Sequence, residues 1–440
     1  MWLVFALHLA FVLGTSVPAA ADDSGVGIKF GTADFPCPAE LHPRTEFWLK
    51  IFSQYGRDSK VLHDNRYPCL IYEIIDVAGL ESKLAKEKVA SRVEYYAELL
   101  EDMAVTDPAT FDPEKKRLRD LLAPIQEAAR YTRAKERLRT QSGIRESFQA
   151  GLARSGRYLP YIFEVLEARG VPLEVAFLPH VESAFDPQAY SKVGAAGLWQ
   201  FTRGTGRSYM RIETDLDERR DPYASTPAAA KYLRNSFDQL ESWPLAVVSY
   251  NYGLAGVRRA SQTLGSKDIV RVLNEYDGPR FGFASQNFYC EFLAAIEIGQ
   301  HPELYFPQVA RDAAESPLEF KLPDYVKYAE LCKGFGLTTT EMAFWNPALG
   351  SSYRKGRRAV PQGFVLRLPE SFQDAGALYT NIPASERRSK PLRPPGYRVR
   401  VGDTLAKIAR RHRVTVAELL TLNNIRNQDR IYAGQVLALP

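Results

Sequence analysis

Cysteine is scarce in this sequence: Cys37, Cys69, Cys290 and Cys332 are the four in 440 residues, and none stands at a metal-ligand spacing. A cysteine-built metal site is thereby excluded. Four cysteines can pair in three ways; a Cys37–Cys69 bridge within the loop-rich amino-terminal segment and four free buried thiols both remain open. Long apolar runs are lacking as well. The run from Trp2 to Gly14 is shorter than the roughly 20 residues that a membrane-spanning helix needs. With Ala19, Ala20 and Ala21 ahead of Asp22, it reads as a cleavable export signal over residues 1–21, although no Lys or Arg precedes it. No cysteine follows closely enough for a lipid anchor, so no transmembrane anchor is expected after cleavage. Strong net charge is the third absence, since 57 Lys and Arg face 52 Asp and Glu. The balance is uneven. Ser385 to Pro440 holds twelve basic against four acidic residues, a tail that meets something anionic or is simply solvated; in an exported chain, nucleic acid is the less natural partner.

What is present is an ordinary globular composition, 45% hydrophobic and 25% charged, long enough for two to four domains. Residues 22 to about 75 predict no firm element. From about Leu80 to Gly170 apolar residues recur at three and four spacings, predicting a helical amino-terminal segment over 22–150, a solvated hairpin packed on the next domain. Residues 151–307 are compact, richer in Gly, Ala and aromatics, and still helical in pattern. Two later stretches repeat one small module: aligning Asn346 with Asn423 and Gly363 with Gly434 brings VLRLP over VLALP, with six extra residues in the first copy. The first copy spans 317–370 and the second 396–440. Between them the Pro-rich, basic 371–395 predicts an extended linker.

In HVESAF, residues 180–185, a glutamate sits among apolar and small residues. If LEVAFLPHVESAF runs as one helix from Pro172, the neighbours of Glu182 at three and four positions are Leu178, Pro179 and Phe185. Burial among them would raise the carboxyl pKa and keep the proton on, as a general acid requires. The bland alternative is a glutamate at a helix edge. Two further stretches come next along the chain. GAAGLWQF surrounds Trp199 with Gly194, Gly197 and Gln200, suited to a tight turn. SWPLAVVSYNYG predicts a buried helix capped by Ser242 and Gly253, leaving Tyr250 and Asn251 in its last turn.

The order E-S-x-F, G-L-x-Q-F and S-Y-N-x-G, over about Tyr158 to Leu293, resembles the lytic transglycosylases with a goose-lysozyme-like catalytic domain. It is most similar to their D-type branch, which carries carboxy-terminal LysM modules. The resemblance implies a mainly α protein: a lysozyme-like helical catalytic domain behind a helical segment, then small βααβ modules. It implies a single catalytic acid and base, Glu182, with Ser183, Phe185, Gln200, Tyr250 and Asn251 in the substrate-binding motifs, and no cofactor or metal. A fourth motif places a tyrosine on a later helix. In NFYCEFLAA, Phe288 is in register, and Tyr289, one step and about 100° on, carries the hydroxyl; which of them faces the substrate stays open. Glu182 would protonate the glycosidic oxygen, then take a proton from the muramic C6 hydroxyl, whose attack on C1 leaves a 1,6-anhydro end. Asp186, the nearest candidate second carboxyl, precedes Pro187 and reads as a turn residue.

In the tail, Gly402, Asp403 and Thr404 match the first turn of a LysM module and Asn423 the end of its second helix, implying N-acetylglucosamine binding. The first copy lacks the G-D-T turn. The expectation is an exported peptidoglycan-cleaving enzyme of the bacterial periplasm or cell envelope, its partner the glycan strand. Its rivals are a muramidase or chitinase on the same fold, and a non-catalytic wall-binding scaffold.

Overall fold

The structure, a computed structural model, describes residues 30–213, 215–372, 374–390, 396–423, 425 and 427–439. The expected export signal lies outside the described residues. Firm elements begin well before residue 75. Helix α1 (His42–Ser53) buries Phe47, Trp48, Leu49, Ile51 and Phe52 together. With so many sides apolar it has no polar stripe to reveal its period. Strands β1 (Ser59–Asp64) and β2 (Ile71–Asp76) follow, then helices α2 (Ser82–Met103), α3 (Pro113–Leu121) and α4 (Arg130–Glu136). Residues read as helical become strand β3 (Leu138–Ser142), which takes the open edge of β1 with Leu62 opposite Thr140. The sheet runs β2-β1-β3, both pairs antiparallel. The helical hairpin is thus an α/β unit with its own small core of Leu62, Tyr72, Leu100 and Leu118. Tertiary pairing overrode a helical period of charges and leucines.

Seven helices bracket the candidate site: α5 (Arg145–Glu167), α6 (Leu178–Ser183), α7 (Pro222–Leu240), α8 (Trp243–Tyr252), α9 (Leu254–Leu264), α10 (Ile269–Glu275) and α11 (Phe283–Gln300). Helix α11 is buried on most sides and packs against α1, α6 and α8. A helix apolar all round belongs inside a large core, and this one joins α1 and α5 to the same cluster. The boundary expected at residue 150 therefore falls within α5, where Phe148 and Leu152 share one core. Ser242 caps α8, its Oγ accepting from the Leu245 amide at 3.4 Å, and Gly253, at φ +85°, ends it. The four cysteines are unpaired, and Cys37 lies 3.6 Å from the Thr45 hydroxyl rather than bridging to Cys69.

The two carboxy-terminal modules share one order of elements. Strand β4 (Leu318–Lys321), helices α12 (Tyr328–Phe335) and α13 (Thr339–Trp345) and strand β5 (Val365–Leu368) form the first. Strand β6 (Gly396–Arg398), helices α14 (Leu405–His412) and α15 (Val416–Leu422) and strand β7 (Val436–Ala438) form the second. Outer strands pair antiparallel in each. Thr338 with Glu341 and Thr415 with Glu418 make equivalent capping boxes. Asn346 donates to Arg367 O at 2.9 Å and accepts from its amide at 2.8 Å; Asn423 does the same with Ala438 at 2.9 and 2.7 Å. The aligned asparagines are one structural tie used twice. Much of the expected linker is packed instead: Ala375–Thr380 is a helix with Tyr379 buried in the first module, and Arg388 bonds both ways with Tyr325. That module also docks on the helical unit, the Gly350 amide donating to Asp215 O at 2.7 Å and Arg367 Nε reaching Asp221 at 3.4 Å.

Candidate active site

Glu182 stands at the end of a one-and-a-half-turn helix. The chain approaches through a 3-10 turn, Leu173–Phe177, not the single helix expected from Pro172. Helix α6 stops because Ala184 and Phe185 turn left-handed, at φ 49° and 55°, a conformation costing non-glycine residues about 1 kcal/mol each. Packing holds them there. Phe185 is fully buried, its ring 4.5 Å from that of His180. Arg154 Nη2 donates to Ala184 O at 2.6 Å, and Gly151 lets α5 approach so closely that a Cβ there would lie 2.9 Å from the same oxygen. Ser183 Oγ donates to Leu198 O at 2.8 Å, tying this turn to the next motif. Ser183 and Phe185 therefore help place the glutamate; Phe185 is fully buried, whereas Ser183 is only half-buried.

The second motif is a loop held from below. Gly197, at φ +80°, passes so near Arg219 O that an added Cβ would lie 1.7 Å from it. Arg219 is fully buried; its Nη1 donates to Gly194 O and Phe201 O at 2.7 and 2.9 Å, and its other nitrogens grip both oxygens of Asp217. Such a paired, fully bonded charge is tolerable inside. Trp199 is buried with Nε1 on Thr226 Oγ1 at 2.9 Å. Gln200 comes out left-handed, at φ 46°, its amide donating to Gly197 O at 2.9 Å.

From α8, Tyr250 Oη donates to Trp199 O at 2.9 Å, and Asn251 Oδ1 accepts from Ser285 Oγ of α11 at 2.8 Å. Gln200, Tyr250 and Asn251 line one cavity of about 210 Å³. The negative charge of Glu182 helps burial raise the Tyr250 hydroxyl pKa, so Tyr250 stands close to the carboxyl. The fold thus brings Gln200, Tyr250 and Asn251 to one cavity, with Glu182 acting electrostatically on Tyr250. Tyr289 is corrected: it is fully buried and donates to Pro36 O at 2.7 Å, holding the amino-terminal segment to α11 and reaching no cleft. Phe288 is buried as well, at 4% exposure. Asp186 accepts from the Gln188 amide at 2.8 Å, as a turn residue does.

A second carboxyl is nevertheless present. Burial pushes the Glu182 carboxyl up to about 8, and the charge of Glu291 on α11 adds to the effect. Burial lifts Glu291 to about 8 as well. Both residues are only half-buried by surface area, so neither is sealed from solvent. Neither has a hydrogen bond or ion pair among the described residues. A negative charge on Glu291 therefore adds to burial in keeping the proton on Glu182. Sequence reasoning passed over Glu291. Its signal was that of Glu182: one charge within the apolar run FYCEFLAA.

In the second carboxy-terminal module, Asp403 accepts from Tyr397 Oη at 2.6 Å and the Arg400 amide at 2.8 Å, Thr404 caps α14, and Gly402 turns at φ +83°. With Asn423 closing the sheet, the side chains of Asp403, Thr404 and Asn423 are engaged in building the module.

Comparison with known proteins matches two segments of the chain. Residues 160–272 match the Transglycosylase SLT domain family, and residues 397–440 match the LysM domain family. The chain is 28% identical over 295 residues to membrane-bound lytic murein transglycosylase D of Escherichia coli K12, covering 65% of this chain and 64% of that protein. It is 37% identical over 119 residues to a putative tributyltin chloride resistance protein of Alteromonas sp. M-1, over 26% of this chain and 56% of that one. It is 31% identical over 144 residues to membrane-bound lytic murein transglycosylase F of Shewanella halifaxensis, over 28% and 29%. The chain thus spans less than two thirds of the length of these curated relatives.

Proposed function

We propose that this chain, which carries a transglycosylase SLT domain followed by a LysM domain, is a lytic transglycosylase. Its substrate is the β-1,4 bond between N-acetylmuramic acid and N-acetylglucosamine in peptidoglycan. The observation that carries the reading is the state of Glu182: a solvent-reachable carboxyl, without protein partner, held protonated to about pH 8 by burial and Glu291. A proton donor at neutral pH is what departure of a sugar oxygen demands. Glu182 gives its proton to the glycosidic oxygen; as carboxylate it then takes the proton of the C6 hydroxyl, which closes on C1. Gln200, Tyr250 and Asn251 bracket the sugar. Tyr250 keeps its own proton on Trp199 O and does not compete as an acid.

The LysM domain supports retention on N-acetylglucosamine chains, and a tethered second sugar site raises local substrate concentration. Two of the three relatives are named as membrane-bound lytic murein transglycosylases; this chain is read as acting in the cell envelope. Among the described residues no helix is long and apolar enough to cross a membrane. Export rests on residues 1–21.

One observation favours a second reading. Glu291, once it has lost the proton that burial holds on it up to about pH 8, is a candidate base for a water, and a carboxyl pair is what a hydrolase of the common type employs. Mass spectrometry of digested peptidoglycan separates the two: the transglycosylase leaves 1,6-anhydromuramoyl ends, the hydrolase reducing ends heavier by one water. Glu182→Gln should leave no product of either kind while keeping strand binding. Reducing ends from the wild type would select the hydrolase; full turnover by Glu182→Gln would sink both.

A further inference from the structure

Beside the cavity bordered by Gln200 lies a larger one, of about 810 Å³, that shares Asn251, Tyr252 and Gly253 with it. Its wall is built, not incidental. The Tyr252 ring lies against Gly256, where a Cβ would come within 2.6 Å of it, and packs edge-on to Phe281 at 4.8 Å. Tyr252 Oη donates to Pro279 O at 2.8 Å, which fixes the loop before α11. The next residue, Arg280, is left-handed at φ 65°, a strain of about 1 kcal/mol that a non-glycine residue must recover elsewhere.

Two cations line this cavity, Arg280 and, from α9, Arg259, and no acid does. Neither guanidinium has a hydrogen bond or ion pair among the described residues. Neighbouring arginines behave otherwise: Arg271 grips Glu275 at 2.9 Å and Arg234 grips Asp238 at 2.7 Å. Both free guanidiniums act on the Tyr252 hydroxyl, where they oppose the upward push of burial and of Tyr276. Their charges therefore face the same space. A neutral glycan offers two solvent-exposed guanidiniums only uncharged hydroxyl and acetamido acceptors, whereas a carboxylate matches their fork of donors and their charge.

We propose that the cavity between Arg259 and Arg280 seats a carboxylate of the acidic peptide linked to muramic acid, so that the cleft reads the peptide beside the bond it cuts. This rests on the peptidoglycan reading above. Asn251, common to both cavities, marks where glycan and peptide part company.

The test uses the full chain and two substrates, peptidoglycan strands with their peptides and the same strands after an amidase has removed them, with KM and kcat followed separately. The peptide-bearing strand should show a KM about tenfold lower, an effect of the size expected for one charge-assisted pair. Arg259→Gln and Arg280→Gln should each erase most of that difference by raising KM on peptide-bearing strands, while KM on stripped strands shifts less than about twofold. Equal KM for both strands in the wild type would overturn the proposal, as would a preference that survives in the double variant. A preference for stripped strands, whose lactyl group is then a free carboxylate, would overturn the peptide assignment too. Cleavage of neither strand would instead remove the glycan-cleaving reading, and the peptide site with it.

Discussion

Glu291→Gln removes an ionisable carboxyl, charged only above about pH 8, and little else, since glutamine keeps the size of the half-buried side chain. Glu182 is raised from 4.5 to about 8, with burial the larger cause and Glu291 the smaller. The whole displacement corresponds to about 5 kcal/mol in favour of the protonated acid. Glu291 is the lesser of the two causes, so its loss should lower the Glu182 pKa by the smaller part of that displacement. The sign comes from the role. An acid catalyst works while protonated, so activity falls as pH rises through its pKa, and that alkaline limb should move to lower pH in the variant. Burial still acts, so the limb should remain well above the ordinary glutamate range. The assay is kcat/KM on peptidoglycan strands between about pH 5 and about pH 9, with far-ultraviolet circular dichroism to confirm the fold. An alkaline limb that stays in place or moves upward would refute the coupling. Loss of turnover at every pH, with the fold intact, would instead make Glu291 a catalytic base and favour the hydrolase.

The same two carboxyls predict a stability profile: their folded pKa values lie above 4.5, so the native state holds more protons and loses stability as pH rises from about 4.5 to about 8. Glu182→Gln should therefore melt a few degrees above wild type at about pH 8.5 and level with it near about pH 4.5; calorimetry showing the reverse order would count against the burial. Gly197→Ala adds a Cβ 1.7 Å from Arg219 O at a left-handed position, so it should cost about 3 kcal/mol or more and drop activity with melting temperature. Wild-type melting in that variant would mean that the loop is not held as described. Ending the chain after Lys390 removes the LysM match, residues 397–440. That shortened chain should sediment poorly with insoluble peptidoglycan yet cleave soluble strands at a rate close to that of the full chain; undiminished sedimentation would leave the module without a binding role.

The legibility of the chain differed by element for physical reasons. The caps of α8 could be read because Ser242 and Gly253 act on adjacent backbone, and the module repeat because Asn346 and Asn423 sit at matching ends of short helices. Helix α1 was hidden by being apolar on several faces, and β3 by a charge pattern that suits a helix equally well until β1 lies beside it. Tyr289 shows the limit of a motif: one residue of offset on a helix turned its hydroxyl to Pro36 O instead of the cleft. Ser183 and Phe185 show another, since residues that mark the motif spend their side chains on Leu198 O and His180.

By itself the sequence determined which groups could do chemistry and in what order: a glutamate in an apolar run, a glycine-bound turn with Gln200, and a capped helix ending in Tyr250 and Asn251. These are local matters of residue type and spacing. Only the tertiary structure decided which groups meet. It put Glu291, more than a hundred residues from Glu182, within electrostatic reach of it by packing α11 on α6. It also left Arg259 and Arg280 lining one cavity with no hydrogen bond or ion pair among the described residues. Burial and charge coupling act through space, and no spacing along the chain encodes them.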